Sequence, residues 1–411
     1  MPDLLFLTQR IPYPPIKGEK IRPLQILRHL SNTHAIHLGC LIDDPADREH
    51  MDTVRAMCAD AHFATLDRNL AMLTCQKGWL TGEPLSFTFF RDRRLAAWVD
   101  QVLTQIKPDV VFVCSSNMAQ YVVAHPRRPK CRIIDFADAD SEKWREYAEK
   151  GSGVMKYVHA REARLVLDQD RASARWSDAS TFVSEPEAAL FRGLAPESAN
   201  KIHAVASGVD SVYFSPDHRF EPLYDPASPT FVFTGTMDYP PNIDAACWFA
   251  KDILPMIRAQ IGNAQFYVVG TNPAQEVLRL SKLDGVHVTG RVQDVRPYLA
   301  HAVASVAPLR IARGIQNKVL EAMAMGMPVI TTPQALEGID AAQAGRDLLV
   351  APSAAEIADL ACKLAMNTLN GALYGAAARA CVVDHYSWAA RLAKFNSLIE
   401  AGGVLQPAGR R

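Results

Sequence analysis

The stretch VASVAPLRIARGIQNKVLEAMAMGMPVITT, Val303–Thr332, decides the fold. Val303–Ala307 is a short apolar run, and Gly314 marks a turn. The spacing of apolar residues predicts a helix from about Ile315 to Met325; Gly326 stops it, and Pro328 opens a second apolar run, Val329–Thr332. Strand, helix and strand within thirty residues form a crossover unit, which pairs its two strands in parallel.

The same rhythm extends in both directions. Thr230–Thr234 (TFVFT), Gln265–Val269 (QFYVV) and Val286–Thr289 precede it as further strands. In the first half, Leu4–Thr8, Ile36–Ile42, Val110–Cys114, Arg132–Phe136 and Ser180–Ser184 are strands, with helical stretches such as Pro23–Leu30 and Arg94–Ile106 between them. The pattern starts twice, so the expected architecture is α/β with two doubly wound domains, residues 1–205 and 206–385, and a last helix, 386–403, packing back on the first. Phe214–Pro229, with four prolines and few apolar residues, has the composition of a linker. Open parallel sheets bind ligands at the carboxyl ends of their strands, so the expected site is a cleft that both domains face.

Composition narrows the partners. The 411 residues carry 44 Lys+Arg against 44 Asp+Glu, and the balance holds regionally: 27 basic against 26 acidic residues in 1–205, then 17 against 18. No basic lobe is available for nucleic acid. With 49% hydrophobic and 21% charged residues, the chain is that of an ordinary globular protein. Its eight cysteines show no zinc or redox spacing and suit buried thiols in a reducing compartment. Leu4–Leu7 is too short for a signal-peptide core, and nowhere do 18 apolar residues run uninterrupted, so a cytoplasmic protein is expected.

The helix after Gly314 carries the strongest chemical signal. Free N–H groups and the dipole make a helix N-terminus an anion site, and a glycine there lets a diphosphate approach the backbone. Lys318 and Glu321 stand three apart, on one side of the helix. Glu321 lies six residues beyond Ile315, roughly 9 Å along the axis, about the distance from a nucleotide's diphosphate to its ribose hydroxyls. Neither half has a G-x-G-x-x-G turn after a strand, which disfavours a nicotinamide oxidoreductase.

The run from Gly314 through Lys318 and Glu321 to AMAMGMPVI resembles the nucleotide-sugar signature of retaining glycosyltransferases of family 4, which have the GT-B fold of two Rossmann-like domains facing across a cleft. The resemblance implies that Glu321 is the second Glu of the family's Glu-x7-Glu motif and holds the donor ribose. The first Glu falls on Arg313, a departure that leaves Arg313 and Lys318 to serve the diphosphate or the sugar. FTGTMDYPPNIDA (Phe233–Ala245) resembles the first strand and turn of the family's donor domain and puts Gly235 at the nucleotide; Asp238 and Asn242 there suit helix capping as well as ligand contact. VTGRVQDVRPYLAHA (Val288–Ala302) resembles the region meeting the donor base, around Arg291 and Val292. SGVDSVYFSP (Ser207–Pro216), FVSEPEAALF (Phe182–Phe191) and HYSW (His385–Trp388) are similar to family segments too. The run IARGIQNKVLEAMAM is similar to sugar transferases associated with exosortase/PEP-CTERM exopolysaccharide clusters.

In the first half, TQRIPYPPIKGEKIRPLQILRHL (Thr8–Leu30) places Gly18 in a loop before a helix, with Arg22 bringing positive charge; the resemblance assigns this loop to the donor phosphate or the acceptor. DFADADSEKW (Asp135–Trp144) leaves a strand with Asp138 and Asp140, read as carboxylates for acceptor hydroxyls or for positive charge developing on the sugar, Asp138 being the catalytic candidate beside Lys318. Lys143 replaces the glycine a calcium loop needs, so no metal is expected there. Ser115-Ser116-Asn117 is read as helix capping. LSFTFFRDRRLAAW (Leu85–Trp98) mixes aromatics with Arg91, Arg93 and Arg94, as a membrane-touching helix would.

The expected activity is retaining transfer of a sugar from a nucleoside diphosphate donor to a hydroxyl of a glycan or lipid-linked glycan, in exopolysaccharide assembly. The protein would need no cofactor and no metal, and would sit in the cytoplasm with possible contact to the inner face of the membrane. A sugar-nucleotide epimerase or hydrolase, or a sugar-binding protein, is the alternative.

Overall fold

The computed structural model describes residues 1–15, 18–150, 152–312 and 315–402. The chain divides into two compact units: Met1–Ser207, which the chain rejoins from Arg391, and Gly208–Ala390.

Unit 1 is built on seven parallel strands: β1 (Asp3–Thr8), β2 (Ala35–Ile42), β3 (Asp60–Thr65), β4 (Val110–Cys114), β5 (Cys131–Ala137), β6 (Ala179–Phe182) and β7 (Ile202–Ala204), in the order β3-β2-β1-β4-β5-β6-β7. Its central runs, LLFLT and VVFVC, are buried on both faces, as parallel strands covered by helices must be. One face packs Phe136, Phe182 and Phe191 with ring centroids 4.9–5.3 Å apart. From Arg391 the last helix, Trp388–Ala401, lies on this unit: Phe395 meets Phe112 edge-on at 5.0 Å, and Asn396 bonds His29 at 3.0 Å. The edge strand β3, DAHFAT, has no counterpart among the expected strands. It is half-exposed, so its sequence lacks the continuous apolar run that marked the others.

Unit 2 repeats the topology with β8 (Thr230–Thr234), β9 (Gln265–Val269), β10 (Val286–Gly290), β11 (Ala304–Ala307), β12 (Val329–Thr331) and β13 (Leu349–Val350), in the order β10-β9-β8-β11-β12-β13. Along β8, Phe231 and Phe233 enter one buried cluster with Phe249 and Phe266, while Val232 faces another with Val319, Leu320 and Met323. That alternation is what a sheet covered on both faces requires. Phe214–Pro229 is not a linker: it belongs to unit 2 and packs on it. Tyr224 lies 4.7 Å from Tyr267 and donates its hydroxyl to the Tyr298 carbonyl, so the prolines hold a strap in place.

In both units the strand order reverses beside the first strand of the sheet, between β1 and β4 and between β8 and β11. The carboxyl ends flanking these points are where open α/β sheets place their ligands.

Candidate functional site

At the carboxyl end of unit 2 three neighbouring strands each finish in a glycine. Gly235 follows β8, Gly270 follows β9 and Gly290 ends β10. They are tied in series: Gly235 N–H donates to Val269 O at 3.0 Å and Gly270 N–H to Gly290 O at 3.2 Å. Gly270, at φ +158°, passes so close that a Cβ there would stand 1.6 Å from Gly235 O. Gly235, at φ +154°, is less tightly enclosed: its Cβ would meet the side-chain atoms Asn242 Nδ2 at 2.9 Å and Lys318 Cε at 3.3 Å. The result is a bare backbone ledge, a form that lets a phosphate or sugar come against the main chain.

The helix expected from Ile315 begins at Asn317 and ends at Ala324. Gln316 keeps extended dihedrals at its N-cap, so Ile315 lies outside the helix, packed with Val292 on the same apolar cluster. Its other end closes as a Schellman turn: Gly326, at φ +67°, donates to Met323 O at 3.0 Å and Met327 to Ala322 O at 3.1 Å. Because the helix follows β11, its amino end is at the strands' carboxyl side. Arg313 and Gly314 lie outside the described residues.

Lys318 reaches from this helix to the ledge. Its Nζ donates to Asn242 Oδ1 at 2.7 Å and stands 5.4 Å from the centre of the Phe233 ring. Asn242 is buried and anchored in turn, its Nδ2 donating to Thr236 O at 2.9 Å. It caps no helix: it lies inside the helix Pro240–Trp248, whose N-cap residue, Tyr239, makes no side-chain cap bond. Desolvation pulls the Lys318 ammonium down to about 8, only partly offset by Glu321. Burial pushes the Glu321 carboxyl up to about 6, only partly offset by Lys318. Among the described residues no hydrogen bond reaches the Glu321 carboxylate and no carboxylate pairs with Lys318. Lys318 thus stands desolvated beside bare backbone with the desolvated Glu321 carboxyl near it, an arrangement typical of functional sites. Thr234 Oγ1, buried at the end of β8, also lacks a partner.

The site residues expected in unit 2 fall around this centre. Gly235 and Lys318 come together directly, and Glu321 stands close enough to Lys318 for their charges to interact. Arg291 is exposed and Val292 half-buried, in the turn after Gly290 and two strands from β8. Arg296 fixes that turn, clamping Asp294 with Nε and Nη2 and lying 3.7 Å from the Tyr213 ring centre. Asp238 is exposed, and Asn272 donates to it at 3.4 Å. Gly270 and Gly290 were not among the expected residues, although the sequence signals them: T-G-T, V-G-T and T-G-R end three successive strands.

In unit 1 the charges close on themselves. Arg22 is not open to a ligand. It is 5% exposed and makes a two-pronged bond to Asp135, both contacts 2.8 Å, with Thr181 Oγ1 donating to the same carboxylate at 2.6 Å. The Asp135 partner holds its guanidinium above the ordinary value despite burial. Lys20 pairs with Asp47 at 2.7 Å and Arg10 with Asp43 at 2.9 Å. Gly18 opens the first helix with nothing within 4 Å of a would-be Cβ. Asp138 and Asp140 are partly exposed and bridged by Lys143, 3.0 Å from each.

The backbone there is strained. Ser115 (φ +75°) follows β4 and Ala137 (φ +63°) ends β5, both left-handed without being glycine. Ser115 makes no cap bond, so the capping reading of Ser115–Asn117 fails. Beneath it Asp170 is buried, its carboxyl pushed up to about 8 by desolvation; its Oδ1, Asn117 Oδ1 and Ser141 Oγ have no partners. Among the described residues, no group of three or more His, Cys, Asp or Glu side chains could hold a metal ion.

Residues 228–367 match the family described as glycosyl transferases group 1. The chain carries a group 1 glycosyltransferase domain. The glycine ledge, Asn242, Lys318 and Glu321 all lie inside this transferase domain. Solved structures extend the likeness in fold to almost the whole chain. HepE from Anabaena, in complex with UDP, aligns with TM-score 0.59 at 14% identity, covering 97% of this chain and 100% of that one. Sucrose-phosphate synthase from Thermosynechococcus elongatus aligns with TM-score 0.60 at 16% identity, covering 97% and 98%. WaaG, a glycosyltransferase involved in lipopolysaccharide biosynthesis, aligns with TM-score 0.54 at 13% identity, covering 98% and 100%. At these identities the shared property is the GT-B fold. Among curated proteins no sequence matches.

Proposed function

We propose that the protein transfers a sugar from a nucleoside diphosphate sugar to a hydroxyl of a glycan or lipid-linked glycan, with retention of anomeric configuration, in exopolysaccharide assembly in the cytoplasm. The observation that carries this reading is the desolvated Lys318 beside the bare backbone of Gly235, with the desolvated Glu321 carboxyl near it on the same helix. The UDP bound in the HepE structures of the same fold supports the donor class.

In this reading the diphosphate lies on the ledge, where the Lys318 ammonium and the helix N-terminus take up the charge that grows as the sugar leaves. Glu321 accepts hydrogen bonds from the ribose hydroxyls. The donor supplies an anion for Lys318 and hydrogen-bond donors for Glu321. Val292 and Arg291 bound the side where the base would lie. Asp138 and Asp140, held by Lys143, are the acceptor-side carboxylates of the proposal. The charge is handled by protein groups, so no metal is required in this scheme.

A thermal-shift screen of UDP-, GDP-, ADP- and dTDP-sugars against the wild type and Glu321→Ala tests the assignment. One nucleotide class should raise the wild-type melting temperature, and the variant should lose most of that shift. No shift in the wild type, or an equal one in the variant, contradicts it. NMR of the product's anomeric proton tests retention.

A further inference from the structure

The helix Asn317–Ala324 has 8 residues, about 12 Å at 1.5 Å per residue, a length that frays unless both ends are held. Its first turn is held by the Lys318 ammonium on Asn242 and by buried Val319 and Leu320. Its last turn carries Glu321. Among the described residues no hydrogen bond reaches that carboxylate, so the backbone of the turn sets where it stands. A helix leaves four carbonyls without partners at its C-terminal end, and here each is met. Glu321 O accepts from Met325 N at 3.1 Å, Ala322 O from Met327 N at 3.1 Å and Met323 O from Gly326 N at 3.0 Å. The fourth, Ala324 O, accepts from the guanidinium of Arg379. Arg379 is half-buried on the helix Gly371–His385, and Gly375 lets that helix lie against the turn: a Cβ there would stand 2.0 Å from Gly326 O.

The same guanidinium donates to Phe214 O at 3.2 Å and to Ser215 Oγ at 3.0 Å, in the stretch by which the chain enters unit 2 after Ser207. Asp217 stands 3.9 Å away and is 87% exposed, so solvent screens its pull. The cation is thus held by carbonyls, at the end of a helix whose dipole favours positive charge. Buried Ala322, Met323 and Ala324 also pack this turn, but apolar contact is non-directional and leaves it free to slide or rotate slightly. Hydrogen bonds fix the register. We propose that Arg379 is a positioning residue for the donor: it secures the last turn of the helix and so sets Glu321 on the ribose. The inference deepens the donor reading of Glu321 and rests on it. Without Arg379 the turn loosens and Glu321 loses its grip, while Lys318, anchored on Asn242 at the other end, keeps its place beside Gly235.

The test is a double-mutant cycle read by calorimetry on the full chain, using whichever of UDP, GDP, ADP and dTDP the wild type binds most tightly. Arg379→Met should raise Kd about tenfold, the usual scale of coupling between groups that act through one element. Arg379→Lys, which keeps a cation and a donor for Ala324 O, should recover most of that loss. In a Glu321→Ala background, Arg379→Met should raise Kd by less than about twofold more, because the contact it secures is already gone; in a Lys318→Met background it should still raise Kd about tenfold. A merely structural Arg379 would give one factor in both backgrounds. Urea denaturation establishes that each variant is folded during the titration, and if Arg379→Met is not, Arg379→Ala and Arg379→Lys carry the same comparison. No rise in Kd without Arg379, or an equal rise in both backgrounds, overturns the proposal and leaves the donor site standing. An unchanged Kd in Glu321→Ala alone overturns the donor reading of Glu321, and this proposal with it.

Discussion

The two sheets have one topology and opposite charge economies. At the carboxyl end of unit 1 these described cations are matched: Arg22 with Asp135, Lys20 with Asp47, Arg10 with Asp43, Lys143 with Asp138 and Asp140. At the carboxyl end of unit 2, among the described residues, the Lys318 ammonium donates to the amide oxygen of Asn242 alone and Glu321 has no hydrogen bond. A buried cation that already has its carboxylate holds a fold together; one left with a neutral partner is available to an anion. The difference is why the proposed scheme places the donor on unit 2, since the fold treats both ends alike.

The comparison is broken most strongly by exchanging the roles of the two cations. Lys318→Met should lower kcat/KM for the donor by about 10²–10³-fold, the usual scale for removing one group that stabilises developing charge, with the melting temperature within a few degrees of wild type. Arg22→Met should do the reverse. Leaving Asp135 buried and unpaired costs about 3–5 kcal/mol of stability, read by urea denaturation, while the folded fraction keeps its donor KM.

Glycine substitutions sharpen the same contrast. Gly270→Ala must move the Gly235 backbone as well as adopt a disfavoured φ, so stability falls by more than about 2 kcal/mol and nucleotide binding falls with it. Gly18→Ala meets nothing within 4 Å and should change stability by less than about 1 kcal/mol; a loss of activity without a loss of stability there would restore Gly18 as a ligand contact. Smallest of all, treatment with EDTA should leave transfer within about twofold of its untreated rate, since the scheme meets the phosphate charge with Lys318 and the helix end.

Much of this was legible in the sequence where burial is two-sided. Runs such as VVFVC and TFVFT can be little but buried parallel strands, and Lys318 and Glu321 declare themselves by a spacing of three on a helix between two strands. What was not legible depended on partners distant in the chain. Arg22 looks like a ligand-binding cation until Asp135, 113 residues away, is brought to its side. The proline-rich strap resembles a linker until Tyr224 is found against Tyr267. Gly270 looks like a turn glycine until its neighbour Gly235 is seen to leave no room for a side chain. The helix start moved from Ile315 to Asn317 because apolar packing of Ile315, rather than helical periodicity, accounts for its hydrophobicity.

The central claim is that Lys318, as an ammonium, and Glu321, as a carboxylate, hold the donor together. Glu321 in the free protein becomes a carboxylate only above about 6, and Lys318 stays an ammonium only below about 8. An intact nucleoside diphosphate sugar does not change its own diphosphate charge across that interval. Calorimetric titration of the preferred donor as a function of pH is therefore the direct test. The account predicts affinity greatest between about 6 and about 8, falling on the acid side as Glu321 takes a proton and on the alkaline side as Lys318 loses one, with Glu321→Gln removing the acid limb and Lys318→Met the alkaline limb. An affinity flat from pH 5 to pH 9.5, or limbs that persist in both variants, would contradict it.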